Sequence, residues 1–224
     1  MPNAINKSIL SIFTALFILA TTFVLADISN DDIIHIAKFS EMDLTAWEKK
    51  IFSGETHYSL IEQEQNSHLQ AKSAQCASAL YKKIKININE SPYLNWSWRV
   101  DQALPELDEK TKTGDDYAAR VYVVFKTGFS PLSAKALNYV WSSNTNPDTH
   151  WPNAYTKKAI MIPLRSKQDE AHTWQHEKIN IKEDLIKHFG KVPKYIDGIA
   201  IMTDADSSQG TTSASYGDIY FSKH

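Results

Sequence analysis

Gly114-Asp115-Asp116-Tyr117-Ala118-Ala119-Arg120-Val121-Tyr122-Val123-Val124-Phe125 is the stretch that decides the fold class. Tyr117, Ala119, Val121, Val123 and Phe125 fall on one side of an extended chain. Asp116, Ala118, Arg120, Tyr122 and Val124 fall on the other. Side chains of a strand alternate with period two, so this pattern predicts a strand with one face in a core. A second segment repeats it: Leu94, Trp96, Trp98 and Val100 alternate with Asn95, Ser97 and Arg99.

Weaker patterns of the same kind cover 58–63, 67–72, 80–88, 137–141, 158–164, 172–181, 196–203 and 216–222. Turn-rich stretches separate these segments. Helix signals are few. Asn180-Ile181-Lys182-Glu183 has the form of a capping box, 184–189 follows as a short helix, and Gly190 and Pro193 stop it. A second short helix is expected near 31–37. Many strands, one or two short helices and no alternation of strand with helix predict an all-β fold, an antiparallel β-sandwich of jelly-roll type.

The chain has 224 residues, 42% of them apolar and 22% charged, within the range of ordinary globular proteins. A net charge of −2 gives no electrostatic reason to expect a nucleic-acid partner. Lys7 is the only charge before Asp27, and the apolar run from Ile9 to Leu25 ends in Val24-Leu25-Ala26, a small-residue cleavage signal. Residues 1–26 therefore read as a signal peptide, and residues 27–224 as one periplasmic or secreted β-sandwich domain. No further apolar span follows, so no transmembrane segment is expected after processing. Cys76 is the only cysteine and can form no internal disulfide; set among small residues, it reads as a buried thiol.

The alternating segments around Trp96 and Tyr117 combine with Leu137-Asn138-Tyr139-Val140-Trp141, with Gly198-Ile199-Ala200-Ile201-Met202-Thr203-Asp204-Ala205-Asp206, and with the closing Ala214-Ser215-Tyr216-Gly217-Asp218-Ile219-Tyr220-Phe221. Together they resemble the bacterial secreted family known as domain of unknown function 3047. The ending is more loosely similar to the last strand of galactose-binding-like jelly rolls, which include many carbohydrate-binding modules. That resemblance implies a fold; function has to be argued from a site.

If the strands neighbour one another, their polar faces put Arg99, Asp116, Arg120, Tyr122, Tyr216, Asp218 and Tyr220 on one surface. Arginine forks, carboxylates and aromatic rings are the groups that hold sugar hydroxyls, or a uronate carboxylate, and stack on sugar rings. Trp141 and Trp151 flank the polar loop 142–150 and are candidate platforms over that surface. The same charges also suit a structural Arg–Asp network. Asp204 and Asp206, with Asp115-Asp116 nearby in pattern, are candidate oxygen ligands for Ca²⁺, and also ordinary turn residues.

His172 and His176 would stand about 13 Å apart on a strand, too far to share an ion. No phosphate-cradling glycine loop is present among the 7 glycines. The expected function is therefore non-catalytic binding of a carbohydrate or cell-envelope glycan, with ligand-binding residues Arg99, Asp116, Arg120, Tyr122, Trp141, Trp151 and Asp218. Two other readings stay open. One is a polysaccharide hydrolase or lyase pairing Asp115 or Asp116 with Asp204 or Asp206. The other is an envelope assembly protein whose aromatic loops form the interface.

Export has a direct test. The recovered protein should begin at Asp27 by intact mass, in the periplasm or the medium; a membrane-bound product retaining Met1 overturns the signal-peptide reading.

Overall fold

The computed structural model describes residues 32–64, 66–128 and 133–224. The expected signal peptide, 1–26, lies outside the described residues. In chain order the strands are β1 (Ile33–Ala37), β2 (Glu48–Ser53), β3 (His57–Ile61), β4 (His68–Ala74), β5 (Ala77–Asn87), β6 (Tyr93–Gln102), β7 (Arg120–Lys126), β8 (Ala134–Trp141), β9 (Trp151–Asn153), β10 (Thr156–Arg165) and β11 (Gln175–Asn180). Helix α1 (Ile181–Phe189), β12 (Tyr195–Asp204) and β13 (Thr211–Ser222) complete the order.

They form two sheets. One has six strands in the order β11-β6-β13-β4-β3, with β1 also on β13; the other has seven in the order β2-β5-β12-β7-β8-β10-β9. The pairings are antiparallel except β8 with β10, which run parallel. The jelly-roll sandwich expected from the alternation is the architecture found. Strand β13 is the spine of the six-stranded sheet. One edge pairs with β6, and the other pairs with β4 over its first half and β1 over its second.

The core lies between the sheets. Leu94, Trp96, Trp98 and Val100 of β6 face Val121, Val123 and Phe125 of β7 and Leu137, Tyr139 and Trp141 of β8, all within one buried cluster. Aromatic rings bridge the layers: Trp96 lies 5.5 Å from Tyr139 and Trp98 lies 5.9 Å from Trp141. The Trp98 indole N–H donates to Glu177 Oε1 at 2.9 Å, so this buried ring keeps its polar atom paired. Cys76 is buried, and Ser73 Oγ lies 3.3 Å from its sulfur.

The helix forms where the capping signals place it. The Asn180 side chain accepts from the Lys182 amide, and its Nδ2 donates to Glu183 Oε1 at 2.7 Å. Gly190 then takes φ 69°, the left-handed conformation that ends a helix without a Cβ clash. Ile181 and Leu185 are its buried side chains. The second helix expected near 31–37 is instead β1, paired through Ile33–Ala37 to the end of β13. An exposed edge of β13 beyond the reach of β4 takes up that segment's backbone, which outweighs a weak local helix signal.

One irregularity changes which residues share a face. Tyr216 pairs with Trp98 and Ile219 with Trp96, so Gly217 and Asp218 together oppose Ser97. This is a β-bulge, and it resets the alternation of β13. Tyr216 and Ile219 both turn inward as a result, although two positions of regular strand would not place residues 216 and 219 on one face.

Candidate functional site

The outer face of the seven-stranded sheet is built from the residues that alternate with the core set. On β7 these are Arg120, Tyr122 and Val124; on β12 they are Ala200, Met202 and Asp204; on β5 they include Ala77 and Ala79. Of these, Arg120, Tyr122, Met202, Asp204 and Ala77 line a groove of about 520 Å³ together with Asp115, Asn153, Thr156, Ala159, Asp206 and Ser207. Phe52 of β2 and Tyr155 of the β9–β10 turn belong to its rims. These two come from opposite edges of the sheet. Seven strands lying flat would hold their edges about 29 Å apart, so lining one groove requires the sheet to curl toward them. A shallower extension of about 400 Å³ continues past Phe52 over Lys50, Tyr81, Tyr122, Val124 and Ala200.

Arg120 lies at the centre of the floor and is 2% exposed. Its guanidinium is fully engaged. Nε donates to Asp204 Oδ1 at 2.9 Å, and Nη2 donates to Asp204 Oδ2 and to the Asp115 carbonyl at 2.6 Å. Nη1 donates to the Tyr122 hydroxyl at 3.3 Å and lies 3.7 Å from Asp115 Oδ2. The Tyr117 ring centre is 4.3 Å from the guanidinium carbon, a close cation–π contact.

The loop 114–119 can descend onto the sheet because Gly114 packs against backbone: a Cβ there would stand 2.3 Å from the Asp108 carbonyl. The strand predicted from Asp116 starts at Arg120 instead, because this loop bonds to the end of β12. The Tyr117 amide donates to Asp204 Oδ1, and the Tyr117 carbonyl accepts from the Asp204 amide, both at 3.2 Å.

Four carboxylates surround this one guanidinium. Asp115 accepts from Asn153 Nδ2 on both oxygens, at 3.0 and 3.1 Å. Asp116 is fully buried and accepts from the amides of Ser207 and Ser208, at 3.1 and 2.6 Å. Asp206 is left partly exposed at the groove. Burial pushes the Asp204 carboxyl up to about 7 against the pull of Arg120. Burial also raises Asp115, again against Arg120, and raises Asp206 with help from the charge of Asp116. Asp116, Asp204 and Asp206 each offer an oxygen, all within 4.8 Å of one another. That spacing and donor type fit a Ca²⁺-sized ion.

The single binding surface expected from the sequence divides between the two sheets. Arg120 and Tyr122 line the groove, with Asp204 and Asp206 beside them and Asp116 beneath. Arg99 and Asp218 lie in the six-stranded sheet. Arg99 pairs with Asp101 at 2.7 Å and lies 5.0 Å from the Trp174 ring centre. Asp218 accepts from Ser40 N and Oγ, at 2.8 and 2.6 Å, pinning the turn that follows β1. Tyr216 is in the core because of the β13 bulge, where its hydroxyl donates to the Met202 carbonyl at 2.8 Å.

Neither tryptophan candidate is an open platform. Trp141 is a core ring whose N–H donates to the Ser166 carbonyl at 3.0 Å. Trp151 is 5% exposed and packs with Tyr117, Val140 and Met161 behind the groove. Among the described residues, the phenylalanine, tyrosine and tryptophan rings that are exposed are Phe52 and Tyr155, at 57% and 60%. Sequence reasoning passed over both. Their signal was an apolar pair, Ile51-Phe52, beside lysines, and a tyrosine at the tip of a tight turn.

This architecture, with a curved outer face grooved between its edges, defines the class as a jelly-roll sandwich like those of carbohydrate-binding modules. The family 30 module of the cellulosomal cellulase Cel9D-Cel44B of Clostridium thermocellum superposes with a TM-score of 0.50 at 11% identity, over 86% of this chain and 98% of that one. The family 11 module from the same organism, solved with a mixed-linked tetrasaccharide, gives 0.43 at 11% identity, over 85% and 95%. The glycoside hydrolase domain of Endo-D from Streptococcus pneumoniae R6 gives 0.43 at 9% identity over 80% of this chain, which spans 22% of that one. No curated protein matches the sequence. The chain belongs to the DUF3047 family, described as a protein family of unknown function, whose model matches residues 45–220.

The buried pair yields a pH-dependent expectation. Asp204 titrates higher in the folded protein than in the unfolded chain, so the folded state holds its proton more tightly between about pH 4 and 7. That contribution is present at low pH and is lost as pH rises through 7. Arg120→Ala strands the carboxylate and should cost about 3–5 kcal/mol. The loss should be larger at pH 8, where Asp204 is ionised, than at pH 5, where it is protonated. Thermal unfolding of both proteins at the two pH values checks this; an equal or reversed difference removes Asp204 as the stranded group.

Proposed function

We propose that the protein is an exported, non-catalytic binding protein, and that the groove on the seven-stranded sheet takes a carbohydrate chain such as a cell-envelope glycan. The observation that carries this reading is the pair of exposed rings, Phe52 and Tyr155, at the rims of a groove whose floor combines Tyr122, Met202 and small apolar residues with Asp115, Asn153 and Asp206. Sugar rings present C–H faces that stack on aromatic rings and hydroxyls that donate to carboxylates and amides. The fold similarity to the family 30 carbohydrate-binding module supports the same ligand class. Among the described residues no helix is long and apolar enough to cross a membrane.

Binding without catalysis is favoured by how the aspartates are used. Acid–base hydrolysis needs two carboxyl groups free to exchange protons with substrate and water. Here Asp115 is held by Asn153, Asp116 by two backbone amides and Asp204 by Arg120, so none of these three is free to work as a pair with the partly exposed Asp206. The alternative of an interface built on Trp141 and Trp151 loses its basis, since both rings are buried. Ca²⁺ belongs to the proposal as a ligand of Asp116, Asp204 and Asp206, where its charge would offset the surplus of carboxylates.

Phe52→Ala and Tyr155→Ala should each weaken binding about three- to tenfold, as expected for one stacking ring worth roughly 0.5–1.5 kcal/mol. Melting temperatures should hardly move, because both rings are more than half exposed. A glycan array on the mature protein, followed by titration of the best hit with each variant, measures this. An empty array, unchanged affinities, or new reducing ends released from the hit would each overturn the reading.

For calcium, an ion present at 100 times its dissociation constant stabilises the fold by roughly 2.7 kcal/mol. Melts with calcium and with chelator should then differ by several degrees, and identical melts return these aspartates to turn chemistry.

A further inference from the structure

The groove floor is rich in acceptors and has spent its strong donors. Arg120 is the one cation among the described residues that line it, and each arm of its fork is committed to Asp204, Asp115 or Tyr122. Asn153 has given its Nδ2 hydrogens to Asp115. The Tyr122 hydroxyl donates to the Met202 sulfur at 3.6 Å. On the acceptor side stand Asp115, Asp204 and the partly exposed Asp206, with Asp116 beneath them.

A further acceptor lies on the same face of the sheet. Asn138 pairs with Tyr122 across β7 and β8 and with Met161 across β8 and β10. It is 1% exposed; its Nδ2 donates to the Met161 sulfur at 3.2 Å, and its Oδ1 has no partner. Asn138 is not among the residues that line the groove, so this acceptor is closed to a ligand and the selection rests on the lining carboxylates.

The charge balance points the same way. Four aspartates gather around one guanidinium, whose fork is already taken up by Asp204, Asp115 and Tyr122. Two lysines stand at the rims: Lys50 lies 5.2 Å from the Phe52 ring centre and Lys112 lies 5.3 Å from that of Tyr155. A uronate carboxylate entering over the floor would meet aspartates and no free donor cation. An ammonium would meet the partly exposed carboxyl of Asp206, with Asp115 beside it, and no competing cation over the floor.

We propose, on the reading of this groove as a glycan site, that it selects chains carrying unsubstituted amino sugars, accepts neutral chains less well, and rejects uronate chains. The amine of one sugar unit sits over Asp206 and Asp115, flanked by units stacked on Phe52 and Tyr155. This reverses the expectation that arginine forks would hold a uronate.

The test uses the mature protein with hexasaccharides of glucosamine, glucose and galacturonic acid, titrated near neutral pH at low salt, with chelator present so that no divalent ion competes for Asp206. Glucosamine should bind about tenfold or more tighter than glucose, as charge-assisted contacts do over neutral ones, with galacturonate weakest. Added salt should narrow the gap. Asp206→Asn, with an unchanged melting temperature, should bring glucosamine to within a few-fold of glucose.

Galacturonate binding as tightly as glucose, glucosamine binding no tighter than glucose, or an Asp206→Asn protein that keeps the full gap would each overturn the amino-sugar assignment and leave the groove a glycan site. Failure of all three hexasaccharides to bind would overturn both.

Discussion

Arg120 is a full charge inside the outer layer of the sandwich, and the parts of the molecule around it are arranged to satisfy it. A guanidinium carries five N–H donors, and leaving them dry in a low-dielectric interior is expensive. Asp204 supplies a fork from the neighbouring strand, the loop 114–119 supplies a carbonyl and a ring, and Tyr122 supplies a hydroxyl. The loop reaches that position because Gly114 lies against the Asp108 backbone, where any side chain would collide. With the loop in place, Tyr117 bonds through both backbone groups to Asp204 and packs onto Trp151, Val140 and Met161. One ion pair thus ties β7, β12, the preceding loop and the β9 region into one wall of the groove.

That constraint decides what the groove can offer a ligand. An arginine in a strand interior is read most easily as a ligand-binding fork, but this one is consumed by the fold. Its enclosure takes Asp204 with it and leaves Asp206 partly exposed at the groove, with the buried Asp115 lining the wall beside it. The chemistry open to the site therefore comes from acceptors and aromatic rims. The buried pair acts on it indirectly, by holding those groups at fixed positions.

The layering of the sandwich was legible because period-two alternation is a direct consequence of strand geometry. Val121, Val123 and Phe125, and Leu94, Trp96, Trp98 and Val100, face the core where the pattern places them. What alternation cannot carry is the pairing of strands. Arg99 and Asp218 read as companions of Arg120, yet β6 and β13 belong to the other sheet, a long-range choice with no local trace. The bulge at Gly217-Asp218 then moves Tyr216 inward, and β1 replaces a predicted helix because the far half of β13 offers an unpaired edge. Of the candidate site, Arg120, Tyr122, Asp204 and Asp206 do gather in one place, since β7 and β12 are neighbours. Phe52 was missed because a strand exposed at every position shows no burial alternation.

The aromatic residues show why large side chains were a poor guide to the binding face. Trp96, Trp98, Trp141, Tyr139 and Phe125 fill the space between the sheets, where dispersion contacts and lost water favour bulk. The outer surface of the seven-stranded sheet carries Ala77, Ala79, Ala136, Ala159 and Ala200 along neighbouring strands. Small residues on a curled face leave open the volume that large ones would have occupied, and only the rims need rings to bound it. The groove therefore follows from where the chain places alanine. Motif reading, which looks for reactive or conspicuous side chains, has no reason to stop at alanine, whereas the geometry of a curved sheet does.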